Sequence, residues 1–319
     1  MKEVNKKQNQ IAGTIMTLLG AGFWGLCAVV SKYLMVDKGL DSMWLVDFRM
    51  FSAGVITLCL AKISSMRSKD SEGSSGGIFE IWKDRKSVIR LLVIAFLAFG
   101  ACQLTYFLAI EYCDAAIATA LQQTAPVFVL AFAVIKEHRM PRPAEIIVLA
   151  MVIFGSFMLA TGGNIHKLAI PVMAIVCGLC SALTCALYIT LPAPLINRYG
   201  TFETVGWGLT IGGIALSPIC KLWNVPSSFD IGIILGLFFI VVFGAVMAFA
   251  LYLYGTTIIG PVKAGIYGLF EPVIATLASV LWLKETFTGA DYIGIIAILA
   301  GIVILTLSKN KTTEKLKKS

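Results

Sequence analysis

Residues 124–137 read TAPVFVLAFAVIKE, and residues 270–285 read FEPVIATLASVLWLKE. Each is an apolar run with a proline near its start and a Lys-Glu pair at its end. The likeness extends outward in both directions. Tyr106, Ala118, Pro126, Val127, Val134, Gly155 and Leu159 recur as Tyr252, Ala264, Pro272, Val273, Val280, Gly301 and Leu305, each 146 residues later. A duplicated, proline-interrupted hydrophobic unit of membrane length is the sequence mark of a repeat-built membrane transporter. One departure is visible: the proline-to-glutamate interval is 11 residues in the first copy (126 to 137) and 13 in the second (272 to 285).

Composition agrees. The 319 residues are 58% hydrophobic and 14% charged, where a soluble domain carries roughly 25% charged residues. No aqueous core can hide that much apolar side chain, so the bilayer takes the remainder. The net charge of +8 does not point to nucleic acid, because Lys and Arg cluster in connections and at the tail, with no basic face. Eight cysteines lie in or beside apolar segments. The Cys177-x-x-Cys180 spacing has no histidine near it, so the cysteines read as small packing residues.

A spanning helix needs about 20 mainly apolar residues. Ten candidates follow: 11–35, 43–61, 90–110, 114–135, 144–161, 169–191, 204–222, 231–253, 262–283 and 289–308. Residues 11–161 form one five-helix repeat and residues 169–308 the other. The run behind the polar start, from Ile11, exceeds a signal-peptide core and reads as a retained first span. Residues 62–87, with their Ser/Gly-rich middle, read as a flexible polar loop that tolerates insertion.

Charge supports the count. With the amino terminus in the cytoplasm, the cytoplasmic segments hold 3, 7, 3, 1, 0 and 5 Lys or Arg, 19 in all, against 4 outside. That bias places both termini in the cytoplasm. Five spans per repeat is odd, so the second repeat enters the membrane upside down, related to the first by a pseudo-two-fold axis in the membrane plane.

Glu271 is the one acid in mid-span. A carboxylate in hydrocarbon is costly, so it should face protein or a wet cavity, where it suits proton carriage or an amine counter-charge. Pro272 beside it withholds a backbone donor and makes a bendable point. The matching position is Ala125 before Pro126, where Gln122 and Gln123 supply the polarity one turn earlier. Gln103 in the third span, the within-span phenols Tyr106, Tyr188, Tyr252 and Tyr267, and Trp24 complete the candidates for a substrate site. Pro126 and Pro272 are the candidate hinges. For each polar residue the bland alternative is helix–helix packing. Lys32, Arg49 and Lys263, near span ends, read as snorkelling side chains. Gly208-x-x-x-Gly212 is a weak packing motif. Lys136-Glu137 and Lys284-Glu285 read as pairs at helix ends or gate edges.

His138 and His166 lie in different loops. The sequence has no carboxylate pair, metal-spaced histidine cluster, nucleophile elbow or phosphate loop, so neither an enzyme nor a metal or organic cofactor is expected. A sensor or scaffold would want a sizeable soluble domain, which this chain lacks.

Phe23-Trp-Gly with Ser31-Lys32, Phe48-Arg49, and the two copies running from Tyr106 to Lys136-Glu137 and from Tyr252 to Lys284-Glu285 resemble the drug/metabolite transporter superfamily, in particular its ten-helix branch with two EamA domains. The resemblance covers nearly the whole chain. It implies secondary transport of small metabolites, often export of amino acids and related amines, across the bacterial cytoplasmic membrane, and a central cavity between the helix sets. The expectation is therefore an all-α integral membrane protein of ten transmembrane helices in two inverted five-helix repeats. It would work by alternating access, with the bilayer and a small-molecule substrate as partners and the proton as coupling ion if transport is active. Sugars, nucleotide-sugars or lipid-linked substrates are the alternative cargo.

Overall fold

The computed structural model describes residues 2–68, 78–136, 138, 140, 143–164, 169–225, 229–259, 264, 267–268 and 270–318. These residues are helical apart from short connections, and they fall into ten spans. In the first half the spans are Lys2–Val36, Ser42–Ser68, the run Arg85–Val93, Ile94–Gly100 and Ala101–Tyr112, the pair Ala115–Gln122 and Ala125–Lys136, and Pro143–Thr161. In the second half they are Val172–Thr190, Thr201–Cys220, the run Ile231–Phe238, Phe239–Met247 and Ala248–Ile259, a ninth span containing Phe270–Ala278 and Ser279–Leu283, and Gly289–Lys318. A short helix, Ala193–Tyr199, precedes the seventh span.

Four helices among the described residues are long and apolar enough to cross a membrane alone: Gln10–Val36, Ser42–Ile63, Arg85–Tyr112 and Ile231–Thr256. Others are shorter apolar helices, among them Ala115–Val129 and Phe270–Leu283, and these cross as members of a bundle. Large apolar side chains such as Ile146, Ile153, Phe154, Ile293 and Ile296 stand at least half exposed on the fifth and tenth spans. Lipid is the solvent that tolerates such a surface.

The packing obeys the inverted repeat. A two-fold operation exchanges spans one and six, two and seven, three and eight, four and nine, five and ten. The first span packs on the eighth and ninth; correspondingly the sixth packs on the third and fourth. The second and seventh pack together, as do the fourth and ninth and the fifth and tenth. These last three pairs are their own images. Where the fifth and tenth meet, a Cβ on Gly155 would lie 2.6 Å from the Gly294 oxygen, and one on Gly294 2.8 Å from the Gly155 oxygen. Backbone touches backbone there because neither residue carries a side chain. The third and eighth spans also share a local irregularity: π-helical turns at Ile94–Gly100 and Phe239–Met247, about one repeat length apart.

The two flanks of the expected loop, residues 62–68 and 78–87, are structured. The second helix continues to Ser68, and the chain from Ile78 onward is ordered by burial. Ile81 is buried, while Phe79 and Trp82 pack their rings against Trp207 at 5.6 and 5.1 Å. The Ser/Gly-rich middle, residues 69–77, lies outside the described residues. Gly208 and Gly212 bear out their packing motif: a Cβ on either would lie 2.7 Å from Phe99 or Met50.

Candidate functional site

The fourth span breaks where the sequence places its glutamines. Helix Ala115–Gln122 ends, Gln123 and Thr124 form a turn, and a new helix begins at Ala125. Pro126 lies in the first turn of the new helix, where its missing N–H costs nothing. The turn directs the two adjacent glutamines to different neighbours. Gln122 Nε2 donates to Ser181 Oγ of the sixth span at 2.7 Å, with Cys102 Sγ at 3.7 Å. Gln123 Nε2 donates to Glu271 Oε2 of the ninth span at 3.1 Å. Both bonds cross from one repeat to the other. Residue 269 lies outside the described residues; Phe270, Glu271 and Pro272 are in the helix Phe270–Ala278.

The third span brings Gln103 to Arg49 of the second, whose Nη1 donates to Gln103 Oε1 at 2.8 Å. Arg49 Nη2 donates to the Gly244 carbonyl at 3.2 Å, inside the π-helical turn of the eighth span. The guanidinium also lies over the Phe107 ring, 5.3 Å from its centroid. Arg49 is 6% exposed and, among the described residues, its Nε has no hydrogen-bond partner. Snorkelling is therefore the wrong reading. The side chain turns inward because neighbouring spans offer an amide, a carbonyl and an aromatic face. Among the described residues no carboxylate forms an ion pair with Arg49.

Lys32 also does not snorkel. Its Nζ donates to the carbonyls of Ile110 and Cys113, each at 2.8 Å, so the ammonium closes the carboxyl end of the third span. Cations favour that end of a helix dipole. Lys263, Glu137 and His166 lie outside the described residues, as does the side chain of Lys136. Lys284 and Glu285 border, with Lys32, Tyr33 and Trp282, a cavity of about 430 Å³ between the ends of spans one and nine.

The phenols divide. Tyr106 is buried and bonds Thr119 Oγ1 at 2.8 Å; Thr119 itself donates to the Ala115 carbonyl, so the phenol is the donor. Tyr252 donates to the Ala264 carbonyl at 2.9 Å. Each ties the end of one span to the start of the next, and the partner changes because Gly265 stands where the first repeat has Thr119. Each phenol is thus fixed in place by its own bond. Tyr252 and Phe249 wall Trp24, at 4.9 and 5.2 Å between ring centroids. Tyr188 sits edge-on to Phe99 at 5.0 Å. Tyr267 is half-buried. Glu271, Gln122, Gln123, Gln103, Trp24, Tyr188 and Tyr252 are likewise half-buried.

Sequence reasoning missed Asp47. It lies within the second span, fully buried, and among the described residues neither carboxyl oxygen has a hydrogen-bond partner. Its position a few residues from the helix start disguised it as a span-end acid. Cys177 is buried and Cys180 exposed, both as free thiols, so that spacing joins nothing.

Known proteins place this architecture. The profile of the EamA-like transporter family matches residues 11–161 and 172–307. An uncharacterized inner membrane transporter, YicL of Salmonella typhimurium, is 33% identical over 299 residues, covering 94% of this chain and 96% of its own length. An uncharacterized transporter, YcbK of Bacillus subtilis, is 24% identical over 98% of this chain and 99% of its own. A solved crystal structure superposes with a TM-score of 0.60 over 94% of this chain and 98% of its own, at 19% identity, which bears on the fold alone. The chain belongs to the EamA-like transporter family: it is a membrane transporter, not an enzyme.

Proposed function

We propose that this EamA family member carries amino acids or related amines, in the export direction, by alternating access of the repeats 11–161 and 169–308 around a mid-membrane site. The observation that carries this reading is the pair of opposite charges at the centre. Glu271 meets Gln123 across the repeats at 3.1 Å. Arg49 is buried beside Gln103 with an Nε–H free and no carboxylate paired to it among the described residues. An unpaired buried charge is costly, so a site that retains both signs unpaired suits a ligand bearing both. Gln122, Gln123, Gln103, Tyr188, Tyr252, Tyr267 and Trp24 supply hydrogen bonds and aromatic wall, with Pro126 and Pro272 as the bending points. Glu271 serves as the proton carrier. The chain ends face the cytoplasm, in keeping with the 19-to-4 distribution of basic residues.

The test uses purified protein in lipid vesicles with an imposed proton gradient and a panel of labelled amino acids, each paired with its decarboxylated amine. Wild type is expected to move the amino acids with the gradient. Glu271→Gln should lose the gradient dependence, and Arg49→Gln should lose the preference for amino acid over amine. Gradient-driven flux unchanged in Glu271→Gln would remove that residue from coupling.

A further inference from the structure

Asp84 and Asp230 are 146 residues apart, the same interval as Tyr106 and Tyr252 (230 − 84 and 252 − 106). Asp84 is the N-cap of the third span and Asp230 the N-cap of the eighth; their side chains accept from the backbone N–H of Lys86 and Ile233. Each also accepts from a basic residue of the opposite repeat. Arg198 Nη1 donates to Asp84 Oδ2 at 2.7 Å, and Lys38 Nζ to Asp230 Oδ2 at 2.6 Å. Each base lies over a tyrosine close to it in sequence, Arg198 over Tyr199 and Lys38 over Tyr33. A tryptophan completes each set. Trp207 Nε1 of the seventh span donates to the Ile78 carbonyl at 2.8 Å, and Trp44 Nε1 of the second to the Leu222 carbonyl at 3.0 Å. The aspartates keep the 146-residue interval, while Lys38 and Arg198 (198 − 38 = 160) and Trp44 and Trp207 (207 − 44 = 163) correspond by place, just before and within the second span of each repeat; the two constellations lie at opposite faces of the bundle.

We propose that these are matched clasps, each holding its own face shut during the transport cycle, with Asp84 and Asp230 as positioning residues for alternating access. The inference rests on the alternating-access reading but not on the identity of the cargo. The repeat operation exchanges both halves and faces, so interchanging the conformations of the halves must treat the two clasps oppositely. Exposed ion pairs are weak, and weakness is what a bond broken every cycle requires. Among the described residues the terminal-face clasp has one more bond between the repeats: Tyr199 Oη donates to Ser87 Oγ at 3.1 Å. That face is therefore the harder to open.

The test reads water access to native Cys102, which contacts Gln122 at the centre and is buried. Full-length protein in oriented vesicles is labelled with a membrane-impermeant maleimide from one side at a time, and the labelled cysteine is located by mass spectrometry. Asp84→Asn and Asp230→Asn keep an N-cap acceptor while deleting the charge. Asp84→Asn should raise labelling from the face carrying the chain ends, and Asp230→Asn from the other face, each by about two- to fivefold. The exchange Asp84→Arg with Arg198→Asp should return labelling towards wild type. Unchanged labelling, or a rise from the same face in both variants, would overturn the proposal. Failure of every amino acid in the transport panel, with side-specific labelling intact, would sink the cargo assignment and leave the clasps standing.

Discussion

Gln123 and Glu271 meet at 3.1 Å across the two repeats, on spans that are each other's image. Their sequence counterparts are Leu269 and Ala125 (123 + 146 and 271 − 146), which cannot form that bond. The centre of a near-symmetric protein thus holds an asymmetric polar contact. An asymmetric ligand needs a site of that kind.

Removing the amide should leave the carboxyl without its donor. Gln123→Leu is expected to destabilise the fold by about 1–3 kcal/mol, the cost of an unsatisfied buried acceptor. Glu271→Gln in the same background should recover part of that loss. A double-mutant cycle in detergent unfolding measures it, and additive effects would mean the bond contributes nothing.

Arg49 holds an amide of its own repeat and a carbonyl of the other. Arg49→Ala should cost about 2–4 kcal/mol, because Gln103 and the Gly244 carbonyl lose their donor and the Phe107 face loses its cation. Arg49→Lys keeps the charge but not the planar fork, so it should restore less than half. Unfolding midpoints of the three proteins decide the point.

Gly25 lies against the ninth span, where a Cβ would fall on the Glu271 carbonyl oxygen and lie 3.0 Å from the Ala275 nitrogen. Gly22, one turn earlier, has nothing nearer than 3.9 Å. Gly25→Ala should therefore destabilise by about 1–3 kcal/mol through overpacking, while Gly22→Ala stays within about 0.5 kcal/mol of wild type. Equal thermal stability of the two variants would contradict this packing.

The clasps also make a pH prediction. Ser87 and the Lys86 N–H, with Arg198, hold Asp84 below the usual carboxylate range; Lys38 does the same for Asp230. Asp230 in turn raises Lys38. A depressed carboxyl contributes above its unfolded value and fails as pH falls through the depressed one. A raised lysine contributes until pH rises through its raised value. Both clasps should thus persist from about pH 4 to about pH 10. The ratio of Cys102 labelling from the two faces, in which the thiolate fraction cancels, should be flat across that window in the Glu271→Gln background, and a change near neutrality there would require another titrating group at the clasps.

The sequence by itself determined the class of this protein, its ten spans and its inverted repeat. Hydrophobic length is a local quantity, and the 146-residue recurrence is visible in the chain itself. It also singled out Glu271, Gln122 and Gln123, because polar residues within apolar runs are costly and therefore conspicuous. Tertiary structure decided their partners. Which residue a glutamine reaches depends on the turn at Gln123–Thr124 and on spans about 150 residues away. Arg49 and Lys32 were misread for the same reason: a long cationic side chain near a helix end can turn outward to water or inward to carbonyls, and only the neighbouring spans decide. Asp84 and Asp230 were invisible as a pair, since an ion pair between repeats is a property of the assembled bundle.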